Sequence, residues 1–253
     1  MTEEDVPSPT AAVLLIGDEL LSGRTQDSNL AYIAKFLATY GIDVCEARMV
    51  RDREEEIAAA LNVLRQHYTY VFTTGGIGPT HDDITTDAVG RAFGVPVDYH
   101  PEALALLAPR YKPGEFNDMR RRMARIPEGA TLIRNSVSTA PGFQIANVFV
   151  LAGVPMIMRA MLEDVGPRLA RGRVVISQTI SAQIGEGRIA GALAQVQREH
   201  PAVIIGSYPA FAESGPRVQL VVRGRAGEAV ERATSAIEAA LRQDGISSTR
   251  IRD

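Results

Sequence analysis

The pattern that most narrows the fold is an alternation running through the first 170 residues: short, uninterrupted apolar runs, then segments whose apolar residues recur at helical spacing. "AAVLLIG" (11–17) has no polar residue before its glycine, as expected of a strand buried on both faces. Residues 28–40 place Leu30, Ile33, Ala34 and Leu37 on one helical face, with Asp27 or Ser28 to cap the start and Gly41 to end it in a left-handed conformation. "IDVCEARMV" (42–50) alternates as a strand. Residues 53–67 return to helical spacing through Ile57, Leu61 and Leu64, with Glu54, Glu55 and Glu56 in the first turn, where the helix dipole favours acids. "YTYVFTT" (68–74) reads as the third strand and 84–94 as the next helix, closing at Gly94. Three such units imply right-handed crossovers, and so an α/β fold with a doubly wound, mainly parallel sheet. Ligands bind such sheets beyond the carboxyl ends of the strands.

The rest is less regular. Residues 97–128 read as helical and irregular, with an arginine cluster at Arg120, Arg121, Arg122 and Arg125 that is either a solvated face or a contact for phosphate or a partner. "FQIANVFVLAG" (143–153) reads as a hairpin or final strand around Ala146-Asn147, and 155–170 as a closing helix with Pro155 in its first turn. From Arg171 onward lysine disappears, and 11 Arg against 6 Glu and 2 Asp give +3, leaving −6 of the net −3 to the earlier part. The pattern there is strand (173–181), helix (186–199), strands (202–207 and 217–223) and helix (227–242), a small α+β layer. The expected division is a disordered tail (1–10), an α/β ligand-binding domain (11–170) and the small domain (171–253).

Composition excludes several classes. A net charge of −3 is unlike a generic nucleic-acid binder. No apolar run approaches the roughly 20 residues that span a bilayer, and the acidic start "MTEEDVPSPT" has no signal-peptide character. The single cysteine, Cys45, rules out an intrachain disulfide, fits a cytoplasmic protein, and is expected to be a buried structural thiol.

The third strand runs into "TTGGIGPTHDDITTD" (73–87). Gly75, Gly76 and Gly78 allow positive φ and close backbone approach, and free amides there, with a helix N-terminus near 83–85, form an anion-binding concavity. Thr74, Thr80 and Thr85 add hydroxyls. Asp82, Asp83 and Asp87 would repel phosphate unless a divalent cation lay between, and an all-oxygen donor set suits Mg²⁺, Mn²⁺ or a similar ion. Asp83 or Thr85 could equally be helix caps. Asp52, after the second strand, should emerge at the same edge; it either caps the helix beginning at Arg53 or joins Asp83 in metal-assisted attack on a phosphoanhydride. His81 is a metal ligand, a phosphate donor or a plain loop residue. No G-K-[ST] follows the glycines, so the loop is not a Walker A motif.

In order, Gly17–Gly23 ("GDELLSG"), Asp27-Ser28-Asn29, "TGGIGPTHDDIT" (74–85), "STAPGF" (138–143) and "LAGVP" (151–155) resemble the molybdopterin-binding superfamily, and within it the amino-terminal region of the competence/damage-inducible protein A family. "SQTISAQIGEGRIAGAL" and "IIGSYP" resemble that family's next region, a small unit likened to a KH fold, although the G-x-x-G loop of RNA-binding KH domains is absent. The resemblance does not extend to the deamidase domain of the longer members. It implies Asp52 and Asp83 as catalytic acids, Asp82 and Asp83 as metal ligands for Mg, Mn or Co, and a ligand or phosphate site built from Gly17, Asp18, Glu19, Asn29, Thr74, Gly75, Gly76, Gly78, Pro79, Thr80, Thr85, Ser138, Thr139, Pro141 and Gly142. Four positions depart from the family pattern: Asp18 for Asn, Ser138 for Gly, Ala152 for Pro and Ile157 for an acid. The implied activity is metal-dependent hydrolysis of ADP-ribose- or FAD-type pyrophosphates. The alternative is a non-catalytic molybdopterin- or nucleotide-binding protein. The implied partners are a small nucleotide or pterin and further copies of the chain, as a dimer or trimer; neither nucleic acid nor membrane is expected.

Overall fold

The computed structural model describes residues 8–212 and 215–251, which form two compact units, Met1–Gly172 and Arg173–Asp253. In the first, β1 (Thr10–Ile16), a short helix α1 (Asp18–Leu21), α2 (Asn29–Thr39), β2 (Asp43–Val50), α3 (Glu54–His67), β3 (Tyr70–Thr74) and α4 (Thr85–Phe93) follow the expected alternation. The next stretch holds β4 (Val97–Tyr99), α5 (Pro101–Leu107), α6 (Asp118–Arg121), β5 (Arg125–Pro127) and β6 (Thr131–Ile133). The hairpin β7 (Gly142–Ile145) and β8 (Val148–Leu151) turns at Ala146, and α7 (Pro155–Val165) starts on its proline.

The six-stranded sheet runs β2-β1-β3-β8-β7-β6. The three pairings among β2, β1, β3 and β8 are parallel, and β7 alone runs the other way, pairing antiparallel with both β8 and β6, so the sheet is mixed, with parallel pairing in the majority. Side chains alternate across it, as the period of two requires. Ala12, Leu14 and Ile16 face Ile57, Leu61 and Leu64 of α3; Ala11, Val13 and Leu15 face Ile33 and Leu37 of α2 and Met158, Met161 and Leu162 of α7. Each fully buried side chain of this size contributes roughly 1.5–3 kcal/mol relative to exposure. The two helix layers are what the doubly wound expectation required.

Several details differ. The tail expected over 1–10 lies outside the described residues for 1–7, whereas Thr10 opens β1 and the Pro9 carbonyl accepts the Asp43 amide (3.3 Å). Cys45 is exposed rather than buried, because β2 is an edge strand and Cys45, with Ala47 and Met49, lies on its open side. Residues 97–128 contain a two-stranded ribbon, β4 with β5, as well as helices.

The second unit contains β9 (Ile176–Ala182), α8 (Glu186–Glu199), β10 (Val203–Ala212), β11 (Gly215–Gly224), α9 (Gly227–Gln243) and β12 (Ser248–Ile251). Its antiparallel sheet runs β10-β11-β9-β12. Ile180, Leu220 and Val222 pack with Val230, Ile237 and Leu241. Strand-helix-strand-strand-helix-strand in this order is the split βαβ, ferredoxin-like arrangement. It bears out the separate small sheet domain and lends nothing to the KH likeness. Among the described residues no helix is long and apolar enough to cross a membrane.

Candidate functional site

The strand order creates a crevice at one point. From β1 the chain crosses to β2 on one side, then returns past β1 to β3 on the other. The loops leaving β1 and β3 therefore diverge, and the space outside the carboxyl ends of those strands is left open, the usual ligand position in open α/β sheets. A cavity of about 580 Å³ lies there. Gly17 and Glu19 reach it from the β1 loop, Asp52 from the end of β2, Gly75 to Pro79 with Asp82 and Asp83 from the β3 loop, and Ser138 and Ala140 from the segment before β7. Ala152 to Pro155 with Ile157 and Met161 bring the β8 end and α7.

Glycine is required at the centre of this arrangement. Gly75 has φ of 104°, and a Cβ there would sit 2.2 Å from the Ile16 carbonyl oxygen. Gly78 is packed against a carboxylate, since a Cβ would lie 2.7 Å from Asp83 Oδ2. That same oxygen accepts hydrogen bonds from the Thr80 amide (2.7 Å) and hydroxyl (2.5 Å), so the loop is folded around Asp83. Neither Asp83 nor Thr85 caps α4, which begins after Ile84 without a side-chain cap. The Thr85 hydroxyl, fully buried, donates to the Gly75 carbonyl (2.9 Å), and the Thr85 amide to that of Gly76 (3.0 Å). The Gly75 and Asp83 amides are also engaged, by the carbonyls of Leu151 (3.2 Å) and Thr80 (3.3 Å). The amides of Gly76, Ile77 and Gly78 find no acceptor among the described residues, and they form the part of the loop left to bind an anion.

Asp52 does not cap α3. Its Oδ2 accepts the Asp18 amide (2.8 Å) at the start of α1, which ties the ends of β1 and β2 together. Partial burial pushes its carboxyl above the usual range; the Asp18 hydrogen bond opposes this, while the charges of Glu19, Asp18 and Asp82 push it further up. Asp27 caps α2, accepting the amides of Asn29 (3.2 Å) and Leu30 (3.0 Å). Asn29 is buried and donates from Nδ2 to the Gly153 carbonyl (2.8 Å), leaving Oδ1 without a partner; it lines a side recess of about 100 Å³ with Glu19 and Thr74. Asn135 organises the Ser138 segment by accepting the Ser138 amide (2.7 Å) and donating to the Ala140 carbonyl (2.7 Å).

The expected residues thus fall into three groups. Gly17, Glu19, Asp52, Gly75, Gly76, Gly78, Pro79, Asp82, Asp83 and Ser138 line the main cavity, and Asn29 and Thr74 the side recess. Asp18, Thr80, Thr85, Thr139, Pro141 and Gly142 line neither: Thr80 and Thr85 brace the loop, Asp18 donates its amide to Asp52, and a Cβ on Gly142 would lie 2.3 Å from the Val150 carbonyl oxygen. Thr139 takes a positive φ of 58° with its hydroxyl buried and unpartnered. Asp87 is held by Arg125 in a bidentate pair (2.8 and 2.7 Å), and the His81 side chain is 94% exposed. Sequence reasoning missed Thr25, Met123 and Met161 as lining residues, and no local pattern marks them.

The chemistry of this donor set decides what it can hold. Glu19, Asp52, Asp82 and Asp83 line one cavity, and no basic side chain does so among the described residues. Nor do those residues include three acids, histidines or cysteines grouped closely enough to cage a metal ion. A hard ion such as Mg²⁺ is commonly held by one or two carboxylates together with substrate phosphates and water. The site fits an ion of that kind arriving with an anionic ligand, and does not fit a cation bound by protein alone.

A family model described as "probable molybdopterin binding domain" matches residues 12–171, and one described as "FAD synthase, middle domain" matches 174–250. A protein of Thermoplasma volcanium is 34% identical over 205 residues, covering 79% of this chain and 80% of that one. A protein of Aeropyrum pernix is 34% identical over 246 residues, covering 91% of each. The crystal structure of the protein CinA, of unknown function, from Thermoplasma acidophilum aligns with a TM-score of 0.60 and 33% identity, over 64% of this chain and 98% of that one.

Proposed function

This chain belongs to the molybdopterin-binding domain family, and from that premise we propose that it is a divalent-metal-dependent hydrolase of nucleotide pyrophosphates of the ADP-ribose or FAD type. One observation carries the proposal: the free amides of Gly76 to Gly78 and four carboxylates share a cavity that contains no basic side chain among the described residues. Amides of that kind favour an anion, whereas the carboxylates oppose one unless a cation intervenes. A diphosphate accompanied by a metal ion satisfies both. The wall formed by Ile77, Met123, Ile157 and Met161 offers apolar surface to a nucleoside ring. The match of the second unit to an FAD synthase middle domain is compatible with a nucleotide ligand.

In the proposed reaction the amides of Gly76, Ile77 and Gly78 hold the phosphate oxygens, with Asp83 fixed beside them by Thr80. Asp52, its carboxyl pushed up by burial, accepts a proton from the attacking water as the new oxygen–phosphorus bond forms. The bridging oxygen leaves with the electron pair of the broken bond. Asp82 and Asp83, together with the phosphates, would hold a divalent ion, which would neutralise the developing charge. The Asp83→Asn variant is expected to lose about 100-fold or more in ADP-ribose hydrolysis with an unchanged melting temperature. Wild-type turnover in that variant would remove the mechanism. The departures at Asp18, Ser138 and Ile157 from the family pattern favour a second reading, a binding protein for a nucleotide or pterin. Tight calorimetric binding with no product after prolonged incubation with Mn²⁺ or Co²⁺ would select it.

A further inference from the structure

Among the described residues no arginine or lysine pairs with a carboxylate of the cavity, Asp82 meeting only the exposed His81 ring at 4.0 Å, and an arginine without a carboxylate partner stands behind the glycine loop. Of the four clustered arginines, three are committed elsewhere. Arg120 donates to the Glu115 carbonyl (2.5 Å) and lies over the Tyr111 ring; Arg121 lies over Tyr99 and near Asp118; Arg125 grips Asp87. Of these four, only Arg122 has no carboxylate partner among the described residues. Its Nη2 reaches only the Asp83 backbone carbonyl, at 3.5 Å, where a hydrogen bond is weak. It lines a small notch with Ile77, Gly78 and Asp83, and these three residues also line the main cavity. The residue after Arg122, Met123, lines the cavity itself. A half-buried arginine with a long, rotatable side chain thus shares a notch with Ile77 and Gly78, two of the three residues whose amides are free.

We propose that Arg122 is the side-chain cation of this site, turning from the Asp83 carbonyl to pair with the phosphate oxygens that Gly76 to Gly78 present. The assignment rests on the reading of the cavity as a diphosphate site. Its chemistry follows from the guanidinium fork, which matches two phosphate oxygens at once, and from the absence of any competing carboxylate that would have to be released. Arg125 could not serve in its place without abandoning Asp87.

The test is calorimetric titration of the full chain with ADP-ribose in the presence of Mn²⁺, and with adenosine as a probe that lacks phosphate. Arg122→Ala should weaken ADP-ribose binding by about 10- to 100-fold, with a shallower dependence on salt, and leave adenosine binding and the melting temperature unchanged. Arg122→Lys should recover part of the loss, and Arg121→Ala should lose nothing. If wild type binds ADP-ribose and Arg122→Ala binds it equally well, the Arg122 assignment fails while the diphosphate reading stands. If wild type binds adenosine but gains nothing from the diphosphate, the reading fails and the assignment with it.

Discussion

Two carboxylate clusters, one in each unit, use the same residue types to opposite ends. In the second, Arg250 donates to both Glu231 and Glu238 at 2.8–2.9 Å, and Gln178 also donates to Glu231 (2.9 Å). The hydrogen bonds from Gln178 and Arg250 hold Glu231 below the usual carboxylate range, and Arg250 does the same to Glu238. In the first, Asp52 is pushed the other way, by burial and by three neighbouring carboxylates, with no cation in the cavity among the described residues. Carboxylates that meet their counter-charge within the fold act as staples. Carboxylates gathered without a strong counter-charge raise one another's proton affinity, as at Asp52.

The contrast can be broken most forcefully at Gly75. Gly75→Ala combines a φ of 104° with a 2.2 Å approach to the Ile16 carbonyl, and should cost about 3 kcal/mol or more. Hydrogen exchange should show the loss in the first unit and leave α8 and α9 as protected as before. Arg250→Ala is the converse. It strands Glu231 and Glu238, and should lower the melting temperature by about 2–6 °C, less at high salt, without altering ligand binding.

Asp52→Asn sharpens the comparison through pH. Because the folded state holds this proton more tightly than the unfolded one, Asp52 makes stability fall as pH rises from 3.8 through its raised value. The variant should remove that fall and be more stable than wild type at pH 7, by an amount that solvent screening keeps small, read from urea midpoints at pH 4 and pH 7. Glu238 has the opposite sign. Its contribution is full above 4.5 and is lost as pH drops through the lowered value, so Glu238→Gln should destabilise at pH 7 and be neutral in acid. The smallest effect belongs to Cys45→Ala. The side chain is exposed on an edge strand, and midpoints should agree within about 0.5 kcal/mol.

How far the sequence carries the fold depends on the length and burial of each element. The strands at 10–16 and 70–74 are short apolar runs because helices cover both faces, and the helices at 54–67 and 227–243 expose a clear apolar stripe; all four are legible. The strands at 97–99, 125–127, 131–133 and 248–251 have three or four residues, too few for a period of two to declare itself. Cys45 misled because an alternating strand does not say whether it lies in the middle or at the edge of a sheet. In the site, the glycines and acids of 75–83 and Asp52 were visible because strand ends converge on one rim. The apolar wall of Met123, Ile157 and Met161, and the position of Arg122 behind Gly78, depend on chain crossings that no local pattern records.

The central claim is that cation and diphosphate complete this cavity together, and reciprocal linkage measures it directly. Mn²⁺ affinity should be determined with and without saturating ADP-ribose, and ADP-ribose affinity with and without Mn²⁺. Each ligand should tighten the other by the same factor, at least about tenfold, and Asp52→Asn with Asp83→Asn should abolish the coupling. Equal Mn²⁺ affinity in the presence and absence of ADP-ribose would contradict the claim.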